Sequence, residues 1–291
     1  MKAAPFDYHR PTTPDEAVGL LSDLGEEAKI LAGGQSLIPM LALRLAVFSH
    51  LVDIGRIGSL RAIERHDDKV RIGACTTQVA IERSSQVADA VPLLARAAPL
   101  IGHFQIRNRG TIGGSIAHGD PAAEFPTVAL TLDAHLEVLG PNGHRTVRAV
   151  DFFTGLWSTA IADDELLIAA TFPVWSGRCG FAIREFARRH GDFAIAGAAV
   201  AVELDDRDTI RRCGIGLLGL GSTPERAVAA EAAATGSAAG DVDAAELGRI
   251  AVSDLQSVPS DLHGSVAYRR RIGASVTADA WSAAIKEARC G

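Results

Sequence analysis

The sequence predicts an α+β protein, and two observations carry that prediction. Strand-like runs and helix-start signals interleave through residues 1–176, whereas the last third places three apolar strand-like runs ahead of alanine-rich helical segments. The 291-residue length suits one large domain or two to three smaller ones.

Taken in order, Thr13 and Pro14 open a helix as cap and first residue, Asp15 and Glu16 fill its first turn, and Gly25 stops it after Leu24. Ala28 to Ala32 reads as a short strand that runs into Gly33-Gly34. Leu37 to Leu45 is apolar and helical or irregular, and His50 to Ile54 is a second strand. Leu60 to Ile63 and Lys69 to Gly73 alternate polar and apolar, as half-buried strands do. Val79 to Ser84, Val91 to Ala98 and Pro126 to Ala134 have helical character. His135 to Leu139, the Pro141-Asn142-Gly143 turn and Arg145 to Val150 form a hairpin pattern. Glu165 to Phe172 is a strand closed by Pro173. Phe181 to Ala187, Ala194 to Leu204 and Ile210 to Leu220 read as three strands, and helices follow over Pro224 to Ala234, Ala244 to Leu255 and Ser265 to Ala288. Gly236 to Gly240 is a small-residue loop, and no internal repeat is present.

Composition narrows the function classes. The chain is 47% apolar and 22% charged, with a net charge of −6 and no basic block of five or more residues, which gives nucleic-acid binding little electrostatic support. Arg188-Arg189-His190 and Arg269-Arg270-Arg271 are short and read as solvated faces or local ion-pair sites. Cys75, Cys179, Cys213 and Cys290 are scattered without a CxxC spacing, so they read as buried free thiols in a reducing compartment and not as a zinc or iron–sulfur nest. No stretch approaches the roughly 20 apolar residues of a membrane span. The opening MKAAPFDYHRP lacks an apolar stretch suited to a signal peptide. A cytoplasmic protein is expected.

Two glycine pairs stand out. Gly33-Gly34-Gln35-Ser36 and Gly113-Gly114-Ser115 each read as following an extended apolar stretch, and small hydroxyl residues (Ser36, Thr111, Ser115) flank them. Glycines let backbone N–H groups approach a ligand with no Cβ in the way, and successive N–H groups form an anion-binding nest. Two such nests suit two phosphates or one pyrophosphate. A glycine pair is also a common turn or bulge, so both readings stand at this point. Neither pair belongs to a Walker loop or a G-x-G-x-x-G fingerprint.

AGGQSL followed by RNRGTIGGSIAHGDPAAEFP resembles the FAD-binding medium subunit of molybdenum hydroxylases, the carbon monoxide dehydrogenase and xanthine dehydrogenase flavoprotein family. PFDYHRPTTPDEAVGLL, VDIGRIGSLRAI, DFFTG, ELLIAATFP and FAIREFARRHGDFAIAGAAVAV extend the resemblance over essentially the whole chain. It implies a vanillyl-alcohol-oxidase-like FAD fold with two α/β lobes, residues 1–57 and 58–176. A C-terminal domain over 177–291 would hold a three-stranded antiparallel sheet with a helical layer. It also implies that Ile30, Leu31, Ala32, Gly33, Gly34, Gln35, Ser36 and Leu37 wrap the pyrophosphate. Thr111, Ile112, Gly113, Gly114 and Ser115 form the second clamp, and Ile101 and Leu167 pack on the flavin. Glu124 stands where relatives often carry Asp contacting the adenosine end, Arg184 where many carry Lys near the flavin, and Phe193 where some carry Tyr beside the ring.

The same resemblance implies partners: a [2Fe–2S] small subunit and a molybdopterin large subunit, assembled as a dimer of heterotrimers. FAD would take electrons from the iron–sulfur clusters and pass them to an external acceptor. The chain then needs to bind, orient and tune its cofactor and supplies no catalytic base or nucleophile of its own. No nucleophile–base pair stands out in the sequence, and no cysteine group suits a further [4Fe–4S] cluster. A stand-alone FAD-dependent reductase or oxidase of the same fold, or a non-catalytic scaffold subunit, are the alternatives. His103, His118 and His190 read as ordinary loop histidines, Asp192 as a local ion pair or turn cap, and Trp157 and Trp175 as core or lobe-interface residues.

Overall fold

The computed structural model describes residues 2–290. The first sheet is parallel, in the order β1 (Asp7–His9), β3 (His50–Asp53), β2 (Ala28–Leu31). Between β1 and β2 runs α1 (Pro14–Leu24), with the limits its punctuation predicts. The Thr13 hydroxyl accepts from the Glu16 N–H at 3.2 Å, and Gly25 ends the helix at φ 59°. Ala17, Val18 and Leu21 lie on its buried face against β3 and the next sheet. β2 runs into the first glycine pair, which leads to α2 (Leu37–Leu43).

The second sheet is antiparallel, in the order β4 (Ile63–His66), β5 (Lys69–Gly73), β10 (Leu166–Pro173), β6 (His135–Gly140), β7 (Gly143–Arg148). Between β5 and β6 the chain forms six short helices: α3 (Gln78–Glu82), α4 (Ser85–Ala90), α5 (Pro92–Ala97), α6 (Phe104–Arg107), α7 (Ile112–His118) and α8 (Glu124–Thr131). They cover the sheet and enclose the main core around Phe125, Leu94, Ile112 and Phe172. α9 (Ala149–Phe152) follows β7, and a small ladder of β8 (Phe153–Gly155) and β9 (Ser158–Thr159) comes before β10.

The third sheet is also antiparallel: β11 (Arg178–Phe186), β12 (Ala196–Leu204), β13 (Ile210–Leu218) and the two-residue β14 (Glu225–Arg226). β12 is buried along its full length because both of its faces are covered. Ala199 and Ala201 face the main core. Ala198, Val200 and Val202 face the layer of α10 (Val228–Ala234), α11 (Ala244–Ser253) and α12 (Val266–Cys290). α8 lies on β13, where a Cβ at Gly216 would strike the Thr127 and Thr131 side chains. α12 lies on β11, and its Glu287 takes the Phe181 N–H at 3.0 Å and pairs with Arg96 of α5.

Several expectations need correction. Leu60 is not in a strand: Gly58–Arg61 is a 3-10 turn, the Leu60 carbonyl accepts the Cys75 N–H at 2.7 Å, and pairing starts only at Ile63. The third sheet has four strands, because Glu225 and Arg226 pair with Leu217 and Gly216. The second hairpin strand ends at Arg148, where α9 begins. Trp157 is no core residue but 60% exposed, whereas Trp175 is buried with the Arg212 guanidinium 3.8 Å from its ring centre. Cys290 is exposed, and Cys75 and Cys213 are buried. Of the two readings for the Arg269 run, Arg269 follows the local ion pair, with Asp261 at 2.7 Å, and is buried and no solvated face. Among the described residues no helix is long and apolar enough to cross a membrane.

Candidate functional site

The two glycine motifs meet. A Cβ at Gly33 would land on the Arg109 carbonyl and 2.7 Å from the Gly110 Cα, so the AGGQS loop touches the backbone just ahead of the second motif. One at Gly114 would stand 3.4 Å from the Ala32 Cβ. Ile30 and Leu31 end β2, where the Leu31 carbonyl accepts the Ile54 N–H, and this anchors the loop at its root. Gly34 has φ 73°, a conformation that favours glycine.

The two motifs nevertheless differ in kind. The N–H groups of Gly33, Gly34, Gln35, Ser36 and Leu37 have no hydrogen-bond acceptor among the described residues, and the Ser36 hydroxyl accepts no N–H of the first turn as a cap. A run of unmade donors at a partly open turn is what an anion such as a pyrophosphate satisfies. The second pair follows no extended stretch. Ile112, Gly113, Gly114 and Ser115 form the first turn of α7, and their N–H groups are already used. Ile112 donates to Thr76 O at 3.0 Å, Gly113 to Ala74 O at 2.9 Å, Gly114 to the Thr111 hydroxyl at 3.0 Å and Ser115 to Thr111 O at 3.0 Å. Gly113 is small because α7 sits on the end of β5, where a Cβ would hit Ala74. On this side the hydroxyl protons of Thr111 and Ser115, and the positive end of the helix, are what remains for a ligand.

The other candidates fall into two groups. Ile101 lies in a turn held by Arg107, which donates to the Ile101 and Gly102 carbonyls at 3.1 Å each and pairs with Glu82 at 2.8 Å. The loop that carries Phe193 packs against this turn, since a Cβ at Gly191 would stand 3.0 Å from the Gly102 carbonyl. Phe193 itself is 70% exposed, an aromatic face free to take a ring. The Arg188–Asp192 pair at 3.6 Å lies in the same loop. His103 and His190 are exposed nearby. His118, at the end of α7, is held below its usual pKa by burial.

Glu124 starts α8, and Arg184 and Glu185 lie near the end of β11. Arg184 is exposed and donates to its neighbour's carbonyl at 2.9 Å. Burial pushes the Glu124 carboxyl up to about 8, and the Glu185 charge adds to the shift. Burial also pushes Glu185 up to about 7, and its Oε2 is enclosed without a hydrogen-bond partner. Desolvation outweighs whatever the helix N-terminus gives Glu124. The Leu167 side chain is enclosed in the main core, 4% exposed, and does not join either group.

Sequence reasoning missed a cleft of about 480 Å3 beside the junction of the two motifs, which Ala32 and Thr111 help to line. Tyr8, Asp53, Arg10, Arg56, Arg61 and Arg109 form most of its polar wall. The Tyr8 hydroxyl donates to Asp53, and that bond raises the phenol's pKa. These residues sit in PFDYHRP, VDIGRIGSLRAI and RNRG, which are visible as motifs but give no sign that they converge.

Comparisons with known proteins give the family. Residues 4–175 match the family described as "FAD binding domain in molybdopterin dehydrogenase", and residues 181–284 match "CO dehydrogenase flavoprotein C-terminal domain". The chain is 41% identical over 272 residues to the 6-hydroxypseudooxynicotine dehydrogenase complex subunit alpha of Paenarthrobacter nicotinovorans, covering 94% of this chain and 92% of the relative. It is 40% identical over 269 residues to the carbon monoxide dehydrogenase medium chain of Afipia carboxidovorans, covering 92% of each. A solved carbon monoxide dehydrogenase from Hydrogenophaga pseudoflava, which lacks the Mo-pyranopterin moiety, superposes with a TM-score of 0.96 at 39% identity, covering 99% of both chains. The chain therefore belongs to the FAD-binding medium-subunit family of the molybdenum-containing dehydrogenases, and its cofactor is FAD.

Proposed function

We propose that this chain is the electron-transfer flavoprotein of a cytoplasmic molybdenum hydroxylase, working between a [2Fe–2S] small subunit and an external acceptor, with a molybdopterin large subunit completing the complex as a dimer of heterotrimers. What carries the reading is the run of unmade N–H donors from Gly33 to Leu37, set against the start of α7 and suited to a pyrophosphate. Bound FAD supplies redox chemistry that accepts electrons singly or in pairs. The chain's own part is placement. Ile30 to Leu37 and Thr111 to Ser115 hold the pyrophosphate, Phe193 and Ile101 border the ring, Arg184 contributes a cation near the flavin and Glu124 a carboxyl at the adenosine end. Leu167, which the resemblance also places on the flavin, is enclosed in the main core at 4% exposed.

The division into 1–57, 58–176 and 177–291 belongs to the same proposal, and the membership of one larger sheet in each interval supports it. Among the described residues no group of three or more His, Cys, Asp or Glu is placed to hold a metal ion. The test is a visible spectrum of the protein purified with whatever associates with it, followed by identification of the released cofactor. FAD with iron–sulfur absorbance and two further polypeptides is expected. FAD with a single polypeptide would replace this reading with a stand-alone flavoenzyme.

A further inference from the structure

The cleft beside the glycine junction concentrates charge that the two glycine motifs do not account for. Arg10 follows β1, Arg56 follows β3, Arg61 ends the 3-10 turn and Arg109 precedes α7, so four separate segments each bring an arginine to the lining of one cavity. None of the four forms an ion pair among the described residues. Arg61 donates to the Gly55 carbonyl, which leaves its charge in place. The acid on the wall, Asp53, is already engaged by the Tyr8 hydroxyl and by the Gly55 N–H at 2.8 Å. The charges converge: Arg10 and Arg109 both act on the Tyr8 hydroxyl, and Arg61 acts on the Cys75 thiol. In a chain of net charge −6 this is a local surplus of positive charge, and gathered cations repel unless an anion joins them.

We propose that this cleft is a phosphate-recognition site in which the arginines hold a phosphate ester or pyrophosphate group. A guanidinium fork matches phosphate oxygens in a bidentate way that an ammonium does not. Thr77, Thr111 and Asn108 add hydroxyl and amide donors to the same wall. The volume of about 480 Å3 lies within the range of small-ligand sites. The buried Cys75 thiol, pushed up to about 12 by burial, stays protonated and plays no nucleophilic part. Two sources supply this chemistry. One is the pyrophosphate of FAD itself, because Ala32 and Thr111 belong to both features, and that source rests on the assignment of the glycine motifs to FAD. The other is a second, diffusible phosphorylated ligand that enters beside bound flavin.

The experiment is a calorimetric titration of inorganic pyrophosphate into the full chain, flavin-free and then saturated with FAD, repeated on Arg10→Gln/Arg56→Gln. Both side chains are exposed and unpaired, so the double variant keeps the wild-type melting temperature; if it does not, Arg56→Gln alone is titrated. The expected result is saturable binding to the flavin-free chain, about tenfold weaker in the double variant and weaker again as salt is raised. Competition by FAD assigns the site to the cofactor's own pyrophosphate. Unchanged binding at saturating FAD assigns it to a second ligand. No saturable binding, or equal binding in the variant, overturns the proposal. Flavin content is measured separately by release, so a wild-type chain without flavin would count against the FAD assignment and leave the arginine result standing.

Discussion

Gly33 and Arg109 meet backbone to backbone: the space a Cβ would need at Gly33 is filled by the Arg109 carbonyl. The contact joins the end of the first sheet to the segment that starts α7, and thereby sets the distance between the two motifs. Neither side is a flexible side-chain tip, so a substitution cannot be absorbed locally. Gly33→Ala is therefore expected to cost about 2–4 kcal/mol and to lose most of its flavin. Gly114→Ala meets only the Thr111 hydroxyl and, at 3.4 Å, the Ala32 Cβ, and should cost less. Thermal unfolding and released-flavin absorbance decide this. A Gly33→Ala chain with wild-type melting and full flavin would remove the close-packed junction from the account.

Thr111 has two tasks at one atom. Its hydroxyl oxygen accepts the Gly114 N–H and caps α7, and its proton remains for a ligand. Thr111→Ala should cost about 1 kcal/mol in stability from the lost cap. It should also weaken FAD binding, whereas Thr111→Ser restores both. FAD titration of the flavin-stripped variants separates the effects: equal FAD affinity in Ala and Ser variants would confine Thr111 to capping.

How far these features are legible in sequence depends on whether their cause is local. α1 is read to the residue because Thr13, Pro14 and Gly25 are local signals, and the hairpin around Pro141 to Gly143 follows the same logic. Leu60 misled because alternation there imitates a strand, while its carbonyl is taken by Cys75 from the end of β5. α4 was missed because Ser84 caps it directly behind α3, and so short a break leaves no periodic signal. The second glycine pair is visible as a motif, but its place in a helix turn depends on Ala74 and Thr76, which are distant in sequence. The arginine cleft and the enclosed Glu185 are wholly products of packing between remote segments.

Glu124 and Glu185 make stability fall as pH rises. Burial raises both carboxyls above the ordinary value of 4.5, to about 8 and about 7. Their protonated forms are favoured in the folded chain. That contribution is complete below pH 4.5 and is lost as the pH passes through the folded values, so the loss falls between about pH 5 and 8. Glu185→Gln removes one ionisation and relieves the repulsion on Glu124. After allowing for solvent access, it should be more stable than wild type by about 1–2 kcal/mol at pH 8 and nearly equal to it at pH 5. Denaturant midpoints at the two pH values test the sign. A Gln variant equally destabilised at both would mean that Glu185 serves packing and not charge.

Arg269 ties the helical layer to the chain segments next to Phe193 and ahead of Glu124. Its Nη1 donates to the carbonyls of Ile195 at 2.6 Å and Gly219 at 3.1 Å, and its Nη2 donates to both oxygens of Asp261. Ile195 follows the Phe193 loop by two residues, and the Gly219 N–H bonds Pro121 O at 2.8 Å, ahead of Glu124. Truncating Arg269 leaves two carbonyls inside the protein without their donor, a cost of about 3 kcal/mol. Asp261 is 44% exposed, and an asparagine there keeps an acceptor oxygen for the Nη2 of the buried Arg269, so Asp261→Asn should cost less. Arg269→Ala is therefore expected to melt well below Asp261→Asn and to loosen the Phe193 loop, raising hydrogen exchange at Ile195 and Gly219. Equal melting of the two variants, with exchange unchanged at those amides, would show that the salt bridge and not the carbonyl bonds is what α12 contributes here.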